Sequence, residues 1–291
     1  TVTCKMGSTT KTATEKNGVW TFGGLDLGTW TITSTKGGDS ATQDVAITRL
    51  TVEYVTIVYR ITPEFTYTGD YEVVDDSDNP ISDFASWKNN WKIRFLTSGT
   101  LTFTKLNGWN GQLDVFLVGG GGDGGKGQNN SDTGGYWSGA GGGSGFTTTE
   151  SVIIKAGVDY SISVPSAGGD AQAFDKTALH GNNGTSERGG NGGSGGGKAG
   201  FGGGGKGGTG GVDGSDGGGP GGTGQGTTTR EFGESAGKLY ATGGDGASGY
   251  SKAPANQVPN SGNGGGGGGF NTKGSAGSSG IVIARNARRA A

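Results

Sequence analysis

The sequence predicts an all-β protein: small β-sandwich modules followed by a glycine-rich bundle of polyglycine-II helices framed by β-strands. Three observations carry this. Before residue 118, apolar residues alternate with threonines and turn residues in short stretches, the period of half-buried strands. From Gly119 onward, glycine recurs in short runs (119–127, 139–145, 189–197, 202–211, 217–226, 243–249 and 262–269) separated by loops of different composition. The chain then returns to an apolar segment, Gly280-Ile281-Val282-Ile283-Ala284, which reads as a strand closing the region.

The elements follow in order. Residues 1–49 read as an immunoglobulin-like or transthyretin-like unit lacking one strand at its start. Asn17-Gly18 joins two strands in a type I′ hairpin, because both positions tolerate φ > 0. The stretch Gly28-Thr-Trp-Thr-Ile-Thr alternates at period two, and Gly37-Gly38-Asp39 makes the next turn. Thr1 reads as mid-strand, so a longer parent chain is expected. Residues 50–118 form a connecting strand (50–62) and a second β-unit, with turns at Gly69-Asp70 and Asn107-Gly108 and an acidic loop at 75–80. Residues 119–291 form the glycine-rich domain, with a β-hairpin at 147–164 and the closing strand at 280–285.

Glycine gives the third part its geometry. From Gly189 the pattern is Gly-Gly-Asn, Gly-Gly-Ser, Gly-Gly-Gly, resuming as Gly-Gly-Lys206 and Gly-Gly-Thr209. Polyproline-II-type backbone has three residues per turn and no internal hydrogen bonds, so its N–H and C=O groups need partners on neighbouring segments. Glycine at two positions per turn removes Cβ from two of three faces and lets backbones touch. The third positions, Asn191, Ser194, Lys206 and Thr209, are expected to face out. Collagen is excluded by only 6 prolines and the absence of a long Gly-X-Y register.

Composition narrows the function. Seventy of 291 residues are glycine and 29% are hydrophobic, so a conventional core cannot run through the whole chain. Net charge is −2, which points away from nucleic acid. No stretch approaches the roughly 18 apolar residues of a membrane span. The single cysteine, Cys4, excludes an internal disulfide and reads as a small buried hydrophobe.

No catalytic, cofactor or metal motif stands out. The segments 192–198 and 200–206 fit a phosphate-loop spacing, but Ala199 and Gly207 occupy the place of the required Ser or Thr. His180, the only histidine, sits in a polar loop and reads as solvent-facing or capping. Asp75, Asp76 and Asp78 lack the glycine of a calcium loop and read as a turn. Arg188-Gly-Gly is a single instance, unlike the repeated arginines of RNA-binding segments. Arg285, Arg288 and Arg289 are too few for a nucleic-acid arm. The chain is therefore expected to be non-enzymatic, with no cofactor, no nucleic acid and no membrane as partner.

Specificity is left to the loops between glycine runs. Tyr136, Trp137, Phe232, Tyr240, Tyr250 and Phe270 are the candidate receptor contacts, most of them beside a charge or an amide: Lys238 with Tyr240, Lys252 with Tyr250, Lys273 with Phe270. Aromatic faces stack on apolar C–H surfaces while polar neighbours read hydroxyls, a combination suited to sugars and protein loops. The competing role for these aromatics is sealing the ends of the bundle, where glycine supplies no apolar cover.

Two resemblances bear on function. The Val-Thr-Cys…Gly-Thr-Trp-Thr-Ile-Thr pattern of the first 50 residues resembles β-sandwich repeats of prophage and surface proteins from Gram-positive gut bacteria. The start Phe-Leu-Val-Gly-Gly-Gly-Gly-Asp-Gly-Gly (116–125) and the finish Gly-Ser-Ser-Gly-Ile-Val-Ile-Ala-Arg (277–285) resemble the glycine-rich domain of phage and prophage tail proteins. In architecture this is similar to tail-fibre-tip adhesins of T-even-like phages. The resemblance implies a structural, receptor-binding protein in a virion tail or at a cell surface. Its partners would be a bacterial surface receptor (a glycan or an outer protein) and other tail proteins. Fibre proteins are commonly homotrimers, although no heptad pattern marks one here. A bacterial surface or filament subunit is the alternative, and an ice-binding protein, a role in which polyglycine bundles also occur, is the third.

Overall fold

The computed structural model describes residues 1–16, 19–36, 39–48, 62–85, 87, 89–107, 109–130, 135–200, 206–211, 216, 219–223, 228–255 and 257–287. The expected connecting strand at 50–62 falls almost wholly outside them. Among the described residues the protein is all-β, and its one helical element is a three-residue 3-10 turn, Glu231–Gly233. Two compact units are present. One comprises Thr1–Glu64, Asp83–Asn89 and Lys105–Asn110; the other comprises Phe65–Ser82, Asn90–Thr104 and Gly111–Ala291.

The first unit holds β1 (Val2–Met6), β2 (Thr9–Thr12), β3 (Thr14–Lys16), β4 (Val19–Thr21), β5 (Gly28–Lys36) and β6 (Asp39–Ile47). Strands β2-β1-β5-β6 form one antiparallel sheet, and β3 pairs with β4 in the register Lys16↔Val19. The residues of the expected Asn17-Gly18 turn lie outside the described ones. Alternation places Val2, Cys4, Trp30, Ile32 and Val45 on one buried face, with Met6, Ala13, Phe22, Leu25 and Ile47 packed against it. The Trp30 indole N–H donates to the Asp26 carbonyl at 2.9 Å, which satisfies the polar end of a fully buried ring. Burial pushes the Cys4 thiol above its ordinary range.

The second unit is built on β7 (Glu64–Tyr67), β8 (Tyr71–Val74), β9 (Lys92–Phe95), β10 (Gly99–Lys105), β11 (Gln112–Val118), β12 (Gln128–Asn130), β13 (Gly135–Trp137), β14 (Thr147–Ile153), β15 (Asp159–Ser163), β16 (Ala171–Ala173), β17 (Lys176–Ala178) and β18 (Ile281–Asn286). Two five-stranded sheets run in the orders β17-β16-β15-β10-β7 and β14-β11-β18-β9-β8, and β16 and β17 lie against β11, β14 and β18. The hairpin expected at 147–164 does not form. Strand β14 pairs along its whole length with β11, from Gln112↔Ile153 to Val118↔Thr147, whereas β15 joins β10 in the other sheet. The turn at 156–157 is therefore a crossing between sheets, with β14 on the largely buried β11 and β15 on β10.

Strands β11 and β18 are buried on both faces. Phe116, Val118, Ile281 and Ile283 point to one side, where Phe232, Tyr240 and Ala241 cover them. Val115, Leu117, Val282 and Ala284 take the other side, and all four are fully buried.

The glycine runs continue this second sheet. Beyond Val118, which pairs with both Thr147 and Ile281, the ladder changes period from two to three. The N–H groups of Gly119, Gly122 and Gly125 donate to the carbonyls of Phe146, Gly143 and Ala140 at 2.8–3.0 Å. Those of Gly121, Gly124 and Gly127 donate to Ser278, Ser275 and Thr272 at 2.9–3.0 Å. Gly181 and Gly184 approach from a third direction and donate to Gly120 and Asp123; Gly265 and Gly268 approach from a fourth and donate to Gly122 and Gly125. A three-residue period is that of polyproline-II-type backbone, and it turns successive peptide groups toward different neighbours. Among the described residues the runs carry no helical hydrogen bonds of their own. They are threads, each held by the threads around it.

Close approach explains the glycine. A Cβ on Gly121 would land on the Asn263 carbonyl oxygen, and one on Gly208 on the Gly190 carbonyl oxygen. Asn191, Lys206 and Thr209 face out as expected, but Ser194 does not. Ser194 is fully buried, its hydroxyl donating to the Ala241 carbonyl at 2.7 Å and its N–H to the Ser144 hydroxyl at 2.7 Å. A small hydroxyl that can satisfy itself inside the lattice takes an interior place that a longer side chain could not.

Two outcomes follow for stability. Replacing Ile281 and Ile283 together with Asp puts two unpaired charges in the doubly covered strand, each costing several kcal/mol. Limited proteolysis should then cleave the glycine region while the β2-β1-β5-β6 sheet stays resistant. Gly208→Val should lower the melting temperature, since overpacking costs about 1–3 kcal/mol; Lys206→Ala, two residues away and exposed, should leave it unchanged in the same calorimetric scan.

Candidate binding surface

A cleft of about 640 Å³ in the second unit is lined by Asp76, Asp78, Lys92, Glu231, Glu234 and Arg285 among others. Its charges neutralise one another. Lys92 Nζ lies 2.6 Å from Asp78 and 2.8 Å from Glu231, and Arg94 Nη2 lies 2.6 Å from Asp78. Arg285 bridges Asp114 at 3.2 Å and Glu234 at 2.7 Å while its guanidinium sits 4.0 Å from the Phe232 ring centre. Tyr240 donates its hydroxyl to Glu231 at 3.2 Å, and burial, reinforced by that carboxylate, pushes its phenol well above the usual range. The network pins the 3-10 turn to β9 and β18. Burial raises the Asp78 carboxyl, but hydrogen bonds from Lys92 and Arg94 outweigh it and hold the group below its ordinary value.

Two of the sequence-predicted contacts belong to this structural cluster and are corrected accordingly. Phe232 is 8% exposed and Tyr240 1%, both packed on Phe116. They seal the sheet face, the sealing role that competed with receptor contact, because β11 and β18 need apolar cover that glycine cannot supply. The acidic loop is a turn: the N–H groups of Ser77 and Asn79 donate to the Asp75 carboxylate at 2.8 and 2.9 Å. His180 is exposed and binds Asp170 through its backbone N–H and through Nδ1, at 2.8 and 2.6 Å.

The other four aromatics lie at the opposite end of the threads. Gly127 is the last residue of its run and bonds to Thr272; Gly139 begins the next and bonds to Gly268. Between them stands the β12–β13 hairpin, in which Gln128 pairs with Trp137 and Asn129 with Tyr136. Ser138 fastens the hairpin base by donating to the Ala247 carbonyl at 2.8 Å, and the N–H of Phe270 donates to Gly249 at 2.9 Å. Tyr250 and Phe270 meet edge to face with ring centres 4.7 Å apart. Trp137 and Phe270 are half-buried, and Tyr250 is 81% exposed. One end of the lattice thus gathers Trp137, Tyr250 and Phe270 from three separate loops, with the Tyr136 backbone in the hairpin beside them.

The sequence reading missed the company these aromatics keep. Lys126 precedes Gly127, Arg188 is bonded through its carbonyl to Thr185, Lys198 precedes the turn that bonds to Ala247, and Lys206 is bonded to Glu187. With Lys252 and Lys273 they place six cationic side chains at this end, all exposed. The available signal was positional: Lys126, Arg188 and Lys198 stand at the ends of glycine runs, Lys252 and Lys273 in the loops that follow two of them, and Lys206 at a third position inside one.

A model of the glycine-rich domain matches residues 96–287. The chain belongs to that family. No curated protein and no solved structure matches it. The matched segment of this glycine-rich domain begins just after β9 and ends just after β18, so it spans the thread lattice and the strands that launch it.

The Asp78 carboxyl gives a pH dependence with a definite sign. Its folded value is below the ordinary 3.8, so its contribution is complete above that value and is lost as pH falls through the lower, folded one. The urea midpoint of the wild type should therefore drop on acidification below about pH 4. Asp78→Asn should be less stable at pH 7 and lose less on acidification.

Proposed function

We propose that the protein is a non-enzymatic receptor-binding component of a bacteriophage tail fibre or spike, displaying loops on a polyglycine scaffold. The observation that carries this reading is the gathering of Trp137, Tyr250 and Phe270 from three loops at the end of the lattice remote from its sheets. A rigid support that presents exposed aromatics at its far end suits surface recognition, since large rings lose little conformational freedom on binding. Membership of the glycine-rich family and the resemblance of both ends of the domain to tail proteins agree with it. The expected partners are a bacterial surface receptor and neighbouring tail proteins, and the expected location is the virion tail or a cell exterior.

Attachment of the purified protein to a panel of bacterial cells tests the proposal. Trp137→Ala, Tyr250→Ala and Phe270→Ala should each weaken attachment about tenfold or more with circular dichroism unchanged, as truncated aromatic anchors commonly cost 2 kcal/mol. Phe232→Ala should instead lower the melting temperature, leaving attachment intact below it. Normal attachment by all three folded tip variants would reject the tip as the reading surface and favour an assembly subunit.

A further inference from the structure

The charges of the second unit are segregated along the threads. At the end that carries β8, β9 and the 3-10 turn, Lys92, Arg94 and Arg285 each contact a carboxylate, while Lys238 lies 5.2 Å from the Tyr240 ring centre and Arg230 donates to the Gly237 carbonyl at 3.0 Å. At the far end none of Lys126, Arg188, Lys198, Lys206, Lys252 and Lys273 takes part in an ion pair among the described residues. The acids at that level are few. Glu187 is exposed among the cations, and Asp132 belongs to the β12–β13 connection, outside the described residues. Asp123 and Asp245 are half-buried, their carboxylates accepting the N–H groups of Gly277 and Gly221 at 3.0 and 2.7 Å. A chain of net charge −2 therefore presents a cationic tip.

We infer that the tip binds an anionic sugar polymer, the aromatics stacking on sugar rings and the lysines meeting phosphate or carboxylate groups between them. This rests on the receptor-binding reading above. Charge complementarity selects the ligand: six exposed cations around three aromatics would repel a cationic surface and gain nothing from a neutral one. Stacking selects a sugar among anions, because an exposed ring such as Tyr250 offers a flat apolar face to C–H groups. Two sources supply the same chemistry, phosphate-linked and carboxylate-bearing polysaccharides, and both are probes in the test. The lysines would chiefly set the association rate and its salt dependence, while the rings would hold the chain once bound.

Binding of the full chain to immobilised poly(glycerol phosphate) bearing sugar substituents, to polygalacturonate, to dextran and to oligo-dT separates the outcomes. Binding to one or both anionic sugar polymers is expected, weakening at least tenfold as salt rises from 50 to 500 mM. The expected binding to dextran is negligible, and that to oligo-dT at least tenfold weaker than to the better sugar polymer. The Lys126→Gln, Lys252→Gln, Lys273→Gln triple variant should bind at least tenfold more weakly with an unchanged melting temperature, and Tyr250→Ala likewise. Equal binding to dextran, binding to oligo-dT as tight as to either sugar polymer, or failure to bind both anionic polymers would overturn the inference. Should the triple variant attach to cells like wild type while Tyr250→Ala does not, the anionic ligand is refuted and the receptor reading stands. If Trp137→Ala, Tyr250→Ala and Phe270→Ala all attach to cells like wild type, the receptor reading itself fails.

Discussion

Backbone-to-backbone hydrogen bonding at a three-residue period is the interaction on which the glycine-rich unit depends. In a sheet each strand has two neighbours, because its N–H and C=O groups alternate in one plane. When the ladder at Val118 passes into Gly119, the period becomes three and the plane opens into a lattice with neighbours on four sides. That is possible only where no side chain intervenes, which is why the Gly121 position sits against a carbonyl. The cost is conformational: glycine loses more freedom on ordering than any other residue, and each bond returns a net 0.5–1.5 kcal/mol. The threads accordingly lean on a frame they did not build. Strands β11 and β18, with both faces covered, and β14 paired along β11 fix the spacing and register from which the threads run.

Electrostatics divides the unit in two. Near the sheets, cations are neutralised at short range by Asp78, Asp114, Glu231 and Glu234, and some are stacked against rings, as Arg285 is on Phe232. Removing one partner there strands a desolvated charge, so this cluster belongs to folding. At the far end Lys126, Arg188, Lys198, Lys206, Lys252 and Lys273 are exposed and make no ion pair among the described residues.

How much of this was legible in the sequence varies with the kind of signal. Strand positions, the closing segment at Ile281 and the outward placement of Asn191, Lys206 and Thr209 follow from periodicity, a local property. Strand partnership does not: β14 and β15 look like a hairpin because they are adjacent, yet each takes a distant partner. Ser194 broke the outward rule because its small hydroxyl could be satisfied inside. Phe232 and Tyr240 share the aromatic-plus-charge pattern of Tyr250 and Phe270, and only the covering of β11 and β18 separates sealing residues from exposed ones. The gathering of Trp137, Tyr250 and Phe270 depends on how the threads reverse, which composition does not encode.

The continuity of thread and strand also has a mechanical meaning. A pull applied at the loops near Tyr250 and Phe270 travels along covalent chain into β11, β14 and β18, which lie side by side and continue into the threads. Their ladders are then loaded in shear, so that all the bonds of a strand such as those from Gln112 to Val118 must yield together instead of one at a time. Cross-links at every third residue share the tension among threads before it reaches the sheet. A tip built this way can lengthen or exchange its loops without weakening the cable that anchors them.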